Sequence, residues 1–316
     1  MHGFRKGKEM RKLRVSGLAA IVFIAVAAAA FASGSNVYPN GAEGFWMGAC
    51  PPPGMYYVNY DLWYSSHKFT DNHGSEVKAG PMGPFKTDVV ANVSRFIYIS
   101  NQQILGATWG AHVFVVYQSV DNKTALGHSR VSGLGDTIID PFILAWHWPN
   151  FHVTTGVDIY VPTGLYHPGR VSNTSANAFV YEPVAAFTYM TPVKGLTASA
   201  KFMYDIAEEN KNARNPFIGP EGHLQYGQEF HFDYSVDYMV TPELKAGIGG
   251  YFYKQITDDQ FNGVSIRHQK GQVVAVGPGV EYSVGKFFLS YRAEFEMLAK
   301  NRPEGIANWL RVVYAF

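Results

Sequence analysis

From Gly54 to Phe316 the chain alternates apolar and polar residues with a period of two, segment after segment. A β-strand sends successive side chains to opposite faces, so this spacing puts the apolar residues on one face. Phe230, Phe232, Tyr234, Val236, Tyr238 and Val240 alternate with His231, Asp233, Ser235 and Asp237, with Met239 as the exception. Phe287, Leu289, Tyr291, Ala293 and Phe295 oppose Lys286, Ser290, Arg292, Glu294 and Glu296. Tyr56, Val58, Tyr60, Leu62 and Tyr64 oppose Asn59 and Asp61. Read throughout, the pattern predicts about twelve strands, each able to hold the ~9–11 residues of a tilted membrane span. They fall near 54–67, 86–100, 104–120, 134–147, 151–162, 178–190, 196–206, 226–240, 243–257, 271–283, 286–299 and 306–316. Asp140 and Pro141 break the pattern in the fourth, whose facing is ambiguous.

The connections alternate short and long without exception. Short ones lie at Asn101–Gln103, Pro149-Asn150, Thr191–Gly195, Thr241-Pro242 and Val284-Gly285; long ones lie near 68–85, 121–133, 163–177, 207–225, 258–270 and 300–305. Transmembrane barrels sort their turns in this way, short on the periplasmic side and long outside. The expected fold is therefore all-β, an antiparallel transmembrane β-barrel over 54–316, with both termini periplasmic. Composition agrees: 15% aromatic residues and 32 glycines accompany only 16% charged residues, where a soluble domain carries about a quarter. Trp146, Trp148, Tyr189, Tyr238, Tyr282, Trp309 and Tyr314 form one expected interfacial belt; Tyr64, Tyr117, Tyr160, Tyr204 and Tyr253 form the other. A net charge of +1 without a basic stripe speaks against nucleic acid as a partner.

The N-terminus carries targeting information. Arg5, Lys6, Lys8, Arg11, Lys12 and Arg14 precede the apolar run 15–31, and Ala30-Phe31-Ala32 offers a small-x-small cleavage site. This predicts a signal peptide over 1–32, with an uncleaved anchor helix as the alternative. Residues 33–53 then form either a plug folded into the lumen or a periplasmic tail. Phe45, Trp46 and Met47 favour the plug, because an exposed apolar cluster is poorly placed in water. Cys50 is the one cysteine and forms no internal disulfide. Leu310, Val312, Tyr314 and Phe316 share a face of the last strand, which resembles the signal read by the outer-membrane barrel assembly machinery.

Charges within strands belong to the lumen, since Arg or Lys at the bilayer midplane on the lipid side costs ~2–4 kcal/mol. The expected lining includes Asp61, Lys201, Asp205, Glu229, His231, Asp233, Asp237, Arg292, Glu294, Glu296 and Arg311. They either brace the interior or select a solute. Trp63, Phe114, Tyr160, Tyr251 and Phe288 are candidate inward aromatics that narrow the passage. A lumen of about twelve strands is wider than the eight-stranded case that side chains fill, and narrower than a general porin. His231 and Asp233 share a face and His147 and His152 flank a turn, yet no serine is positioned beside them as a nucleophile. No catalytic residue, metal or cofactor is expected.

Several stretches carry a family resemblance. They are Tyr38-Pro39-Asn40-Gly41-Ala42-Glu43-Gly44-Phe45, Pro51-Pro52-Pro53-Gly54, Gly133-Leu134-Gly135-Asp136, Val161-Pro162-Thr163-Gly164, Tyr181-Glu182-Pro183, Gly227-Gln228-Glu229-Phe230, Gly249-Gly250-Tyr251, Gln255-Ile256-Thr257-Asp258-Asp259 and Asn301-Arg302-Pro303-Glu304-Gly305. With these the mature chain resembles the meta-pathway phenol-degradation proteins, a family of outer-membrane transporters. The resemblance implies passive uptake of small hydrophobic or aromatic compounds, with outer-membrane lipid and that solute as partners. It brings no catalytic residues. The alternatives are a structural or sensory barrel without transport and an outer-membrane hydrolase such as a phospholipase.

Overall fold

The computed structural model describes Gly34, Ser35, 37–214 and 221–316; the signal peptide expected over 1–32 lies outside these residues. The strands are β1 (Gly54–Ser66), β2 (Lys86–Ile104), β3 (Ala107–Thr124), β4 (Gly127–Leu134), β5 (Thr137–Trp148), β6 (Phe151–Val161), β7 (Val180–Met190), β8 (Leu196–Ala207), β9 (Glu209–Arg214), β10 (Glu221–Gln225), β11 (Glu229–Met239), β12 (Leu244–Gln255), β13 (Gln260–Phe261), β14 (Val264–Ser265), β15 (Gln272–Val284), β16 (Phe287–Lys300) and β17 (Ile306–Ala315). Twelve of them close an antiparallel barrel. β1 pairs with β2 on one side and with β17 on the other, so the wall has no free edge. Closure satisfies the backbone groups of the wall without water, as a bilayer requires.

The fourth barrel strand is interrupted. β4 pairs with the outer part of β3 and β5 with the inner part, with Gly135-Asp136 between them. The expected loop at 121–133 is thus a hairpin projecting beyond the wall. The two long connections near 207–225 and 258–270 also contain strands: β14, β13, β10 and β9 form a separate four-stranded sheet. On the periplasmic side, β2 runs past Asn101–Gln103 and turns at Leu105-Gly106 instead. Both residues have positive φ, 54° and 75°, as a tight hairpin turn matching strand twist demands. Asp140 and Pro141, which broke the alternation, lie in a register shift between Ile139 and Leu144. The bulge swings Asp140 into the interior, where it is 3% exposed.

The outer wall is apolar and aromatic. Phe202, Phe232 and Phe252 pack as tilted rings, with centroids 5.4 and 5.5 Å apart, across β8, β11 and β12, with Phe187 and Phe230 beside them. On β11 every odd residue from Glu229 to Asp237 is buried, as the alternation predicts. β1 departs from expectation. Val58, Tyr60 and Leu62 point into the lumen, while Asp61 and Trp63 face outward, Trp63 at 45% exposure. Asp61 accepts a hydrogen bond from Asn92 Nδ2 at 2.7 Å on that outer face. The inner face can be apolar here because Tyr60 and Leu62 join Ala91, Val93, Phe114 and Trp309 in one buried cluster. The aromatic belts need the same correction. Trp148, Tyr189, Tyr238 and Tyr282 are exposed on the outside, whereas Tyr160, Tyr253 and Trp309 are buried in the interior. Tyr64 also turns inward and donates to Glu296 Oε2 at 2.7 Å.

Candidate functional site: a vestibule floored by the N-terminal segment

Pro51, Pro52 and Pro53 lack backbone donors and cannot extend a sheet, so the chain before β1 is left free of the wall. The described part of that segment runs through the lumen. Near the outer end, Ser35 donates its hydroxyl to Glu229 Oε1 at 2.7 Å, and its backbone N–H reaches the same oxygen. Tyr38 donates its hydroxyl to Asp233 Oδ2 at 2.7 Å; the Gly41 and Glu43 N–H groups donate to the same carboxylate. Arg292 returns donors to the Gly41 and Ala42 carbonyls. Lower down, Gly48 donates to Thr188 Oγ1 and accepts from Thr154 Oγ1, both at 2.9 Å.

Glu43 ties this segment to three strands at once. Its Oε1 lies 3.3 Å from Arg95 Nη1 and 3.3 Å from Lys201 Nζ, and its Oε2 lies 3.9 Å from Arg311 Nη1. A carboxylate this enclosed needs its cations, because removing either side strands a charge. Below it, Phe45 is 4% exposed, and the Lys245 ammonium sits 4.5 Å from the Trp46 ring. Met47 follows, half-buried.

Above the segment lies a cavity of about 540 Å³. Its floor is Val37, Tyr38, Pro39 and Ala42; its wall includes Tyr60, Leu62, Val93, Phe114, Ile138, Tyr160 and Trp309; its rim carries Phe69, Phe85, Arg170 and Tyr226 from the outer loops. The lumen is therefore divided lengthwise. One side, from β1 to β6, presents mostly apolar side chains to the cavity, with the cluster of Arg95 and the buried His112, Asp140 and Asp158 among them. The other, on β8, β11 and β16, presents Lys201, Asp205, Glu229, His231, Asp233, Arg292 and Glu294, all at 6% exposure or less. The segment lies against the charged side. Tyr251 is also interior, with its hydroxyl 2.5 Å from Glu296 Oε1, and Arg311 reaches Glu281 as well as Glu43.

Of the expected lining residues, Asp61 and Trp63 lie outside the lumen, as described above; Phe288 is at the mouth, 37% exposed. Sequence reasoning missed Glu43, Arg95, His112, Asp158 and Glu182. His112 takes a hydrogen bond from Arg95 Nη2 at 2.8 Å on Nδ1 and reaches Asp158 Oδ1 at 2.6 Å through Nε2. A charge within an apolar strand pattern was the available signal for Arg95 and Asp158; nothing in the spacing pointed to Glu43. Among the described residues no serine hydroxyl hydrogen-bonds to His231. The geometry positions groups for holding a segment and surrounding an apolar solute.

Closed wall, lipid-facing aromatics and an enclosed lumen together define an outer-membrane β-barrel. The chain belongs to the family described as "Putative MetA-pathway of phenol degradation", whose sequence profile matches residues 66–312. No curated protein matches the sequence. Among solved structures, the COG4313 outer membrane channel from Pseudomonas putida F1 is similar with a TM-score of 0.76 and 16% identity, over 87% of this chain and 99% of that one. The translocator domain of the autotransporter NalP from Neisseria meningitidis is similar with a TM-score of 0.51 and 8% identity, over 83% and 89%. At such identities the likeness concerns the barrel itself.

Proposed function

We propose that this barrel is a passive channel for small hydrophobic or aromatic solutes, and that the segment 33–53, through its described residues, is its plug. The observation that carries the reading is the mostly apolar cavity of about 540 Å³, floored by the segment itself. Ligand sites of this kind bury a compact solute against apolar walls with few polar groups to orient it. A solute entering from outside would rest on Val37, Tyr38 and Ala42. It would pass when the segment swings away from the charged wall. The ties at Glu43 and Asp233 are polar and local, so they can be broken and remade without opening the barrel. In this reading the protein has no catalytic role, and its C-terminal strand, through Phe316, serves recognition by the assembly machinery.

Filling the cavity tests this. Ala91 faces it and is 7% exposed. Ala91→Trp, compared at equal amounts of folded protein, should lower the rate at which proteoliposomes take up phenol and toluene above the empty-vesicle rate. Equal rates for the variant and the parent would refute passage through this cavity.

A further inference from the structure

Three neighbouring strands bring Glu182 (β7), Asp205 (β8) and His231 (β11) together on the inner wall. Each is at most 1% exposed. His231 Nε2 lies 3.2 Å from Asp205 Oδ2 and 3.5 Å from Glu182 Oε2. Within the described residues, neither nitrogen of His231 has a hydrogen-bond partner, and no N–H or hydroxyl donor serves either Asp205 oxygen or Glu182 Oε1, although the Glu182 and Asp205 carboxyl groups adjoin each other. Neither carboxylate forms an ion pair with Lys or Arg there; the nearby Lys201 is engaged by Glu43 at 3.3 Å and Asp158 at 4.0 Å. A buried imidazole and two carboxylates left this way are costly unless something else satisfies them.

The separations suit a shared ion. Two donors each about 2.1 Å from a metal, at a tetrahedral angle, stand about 3.4 Å apart. One imidazole nitrogen and two carboxylate oxygens suit a first-row divalent cation, whose charge offsets both carboxylates. We propose that Glu182, Asp205 and His231 bind a divalent transition-metal ion, with Zn²⁺ as the representative probe. Outer groups are already placed to orient these ligands. Tyr160 donates to Glu182 Oε2 at 3.0 Å, and the Tyr38 ring lies 4.9 Å from the His231 ring. Tyr38 belongs to the lumen segment, so the ion fixes the wall at the point where that segment is held.

A second cluster, His112, Asp140 and Asp158, provides the internal control. There both imidazole nitrogens are engaged, one by Arg95, whose guanidinium already supplies positive charge. The ligands of the proposed site come from three strands, which is why metal-ligand spacing in the sequence does not reveal them.

The test uses the full chain folded in detergent and stripped with a chelator. His147→Gln and His152→Gln are included as background, because those exposed rings lie 2.9 Å apart at Nδ1 and could bind metal themselves. Calorimetric titration with Zn²⁺ should show about one equivalent bound per chain, and Co²⁺ should give a d–d absorption band of four- or five-coordinate intensity. His231→Gln and Asp205→Asn should each weaken binding at least about tenfold, while His112→Gln should retain it. Folding is followed by heat-dependent electrophoretic mobility; if His231→Gln fails to fold, Asp205→Asn carries the comparison. The proposal is overturned if the folded parent shows no saturable Zn²⁺ binding. It is equally overturned if binding persists in the folded ligand variants, or falls as far in His112→Gln.

Discussion

Glu43 ties the N-terminal segment to three strands of the wall, its one carboxylate answering Arg95, Lys201 and Arg311. Losing one partner of a buried ion pair costs about 3–5 kcal/mol. Glu43→Gln should therefore loosen the segment and raise the open-state current in planar bilayers, with the barrel still folded; an unchanged current would show that Glu43 does not hold the segment. Asp259, in the outer loop between β12 and β15, gives a pH-dependent prediction. Burial pushes its carboxyl up to about 7, against hydrogen bonds from the Gly227 N–H and Gln255 Nε2 that favour the ionised form. The folded state then holds a proton that the unfolded chain releases near pH 4, so the protonated form stabilises the loop at low pH and that contribution is lost as pH rises through about 7. The melting temperature of the parent should fall relative to Asp259→Asn between pH 5 and 8.5, whereas a constant gap would contradict the assignment. At this scale the sequence was only partly legible. Glu229, His231 and Asp233 follow the alternation of β11 inward, because the lipid face there is uniformly apolar. Asp61 and Trp63 misled, because β1 carries apolar residues on its lumen face.

The strands themselves were readable from period and loop length, since a strand of ten or more residues offers several alternations to count. The short strands β9, β10, β13 and β14 were not, because two to six residues give no period to measure. β4 was missed within the loop expected over 121–133, because it pairs with the part of β3 that extends past β5. Glycines within the wall mark where strands approach closely. A Cβ at Gly277 would lie 1.6 Å from the Ala293 carbonyl oxygen on β16. Gly277→Ala must displace backbone, and overpacking of this kind costs about 1–3 kcal/mol. Its heat-modified mobility shift should occur at a lower temperature than in the parent; an unchanged transition would mean that β15 and β16 separate there without penalty.

For the whole molecule, strand number and exported barrel architecture could be read from the sequence. The lengthwise division of the lumen could not, because it depends on which strands become neighbours across the interior. Tyr60 on β1, Phe114 on β3 and Trp309 on β17 meet only after β1 closes onto β17. The same closure sets the charged wall opposite them, with the N-terminal segment against it and the cavity of about 540 Å³ beside the apolar side chains. The account rests on that segment being a removable obstruction in a passage for apolar solutes. The most direct measurement is toluene uptake by proteoliposomes carrying the intact barrel or a barrel deleted for residues 36–53, beside empty vesicles. The account predicts uptake above the empty-vesicle rate for the intact barrel and faster uptake still for the deletion. A folded deletion variant that takes up toluene no faster than empty vesicles would contradict it.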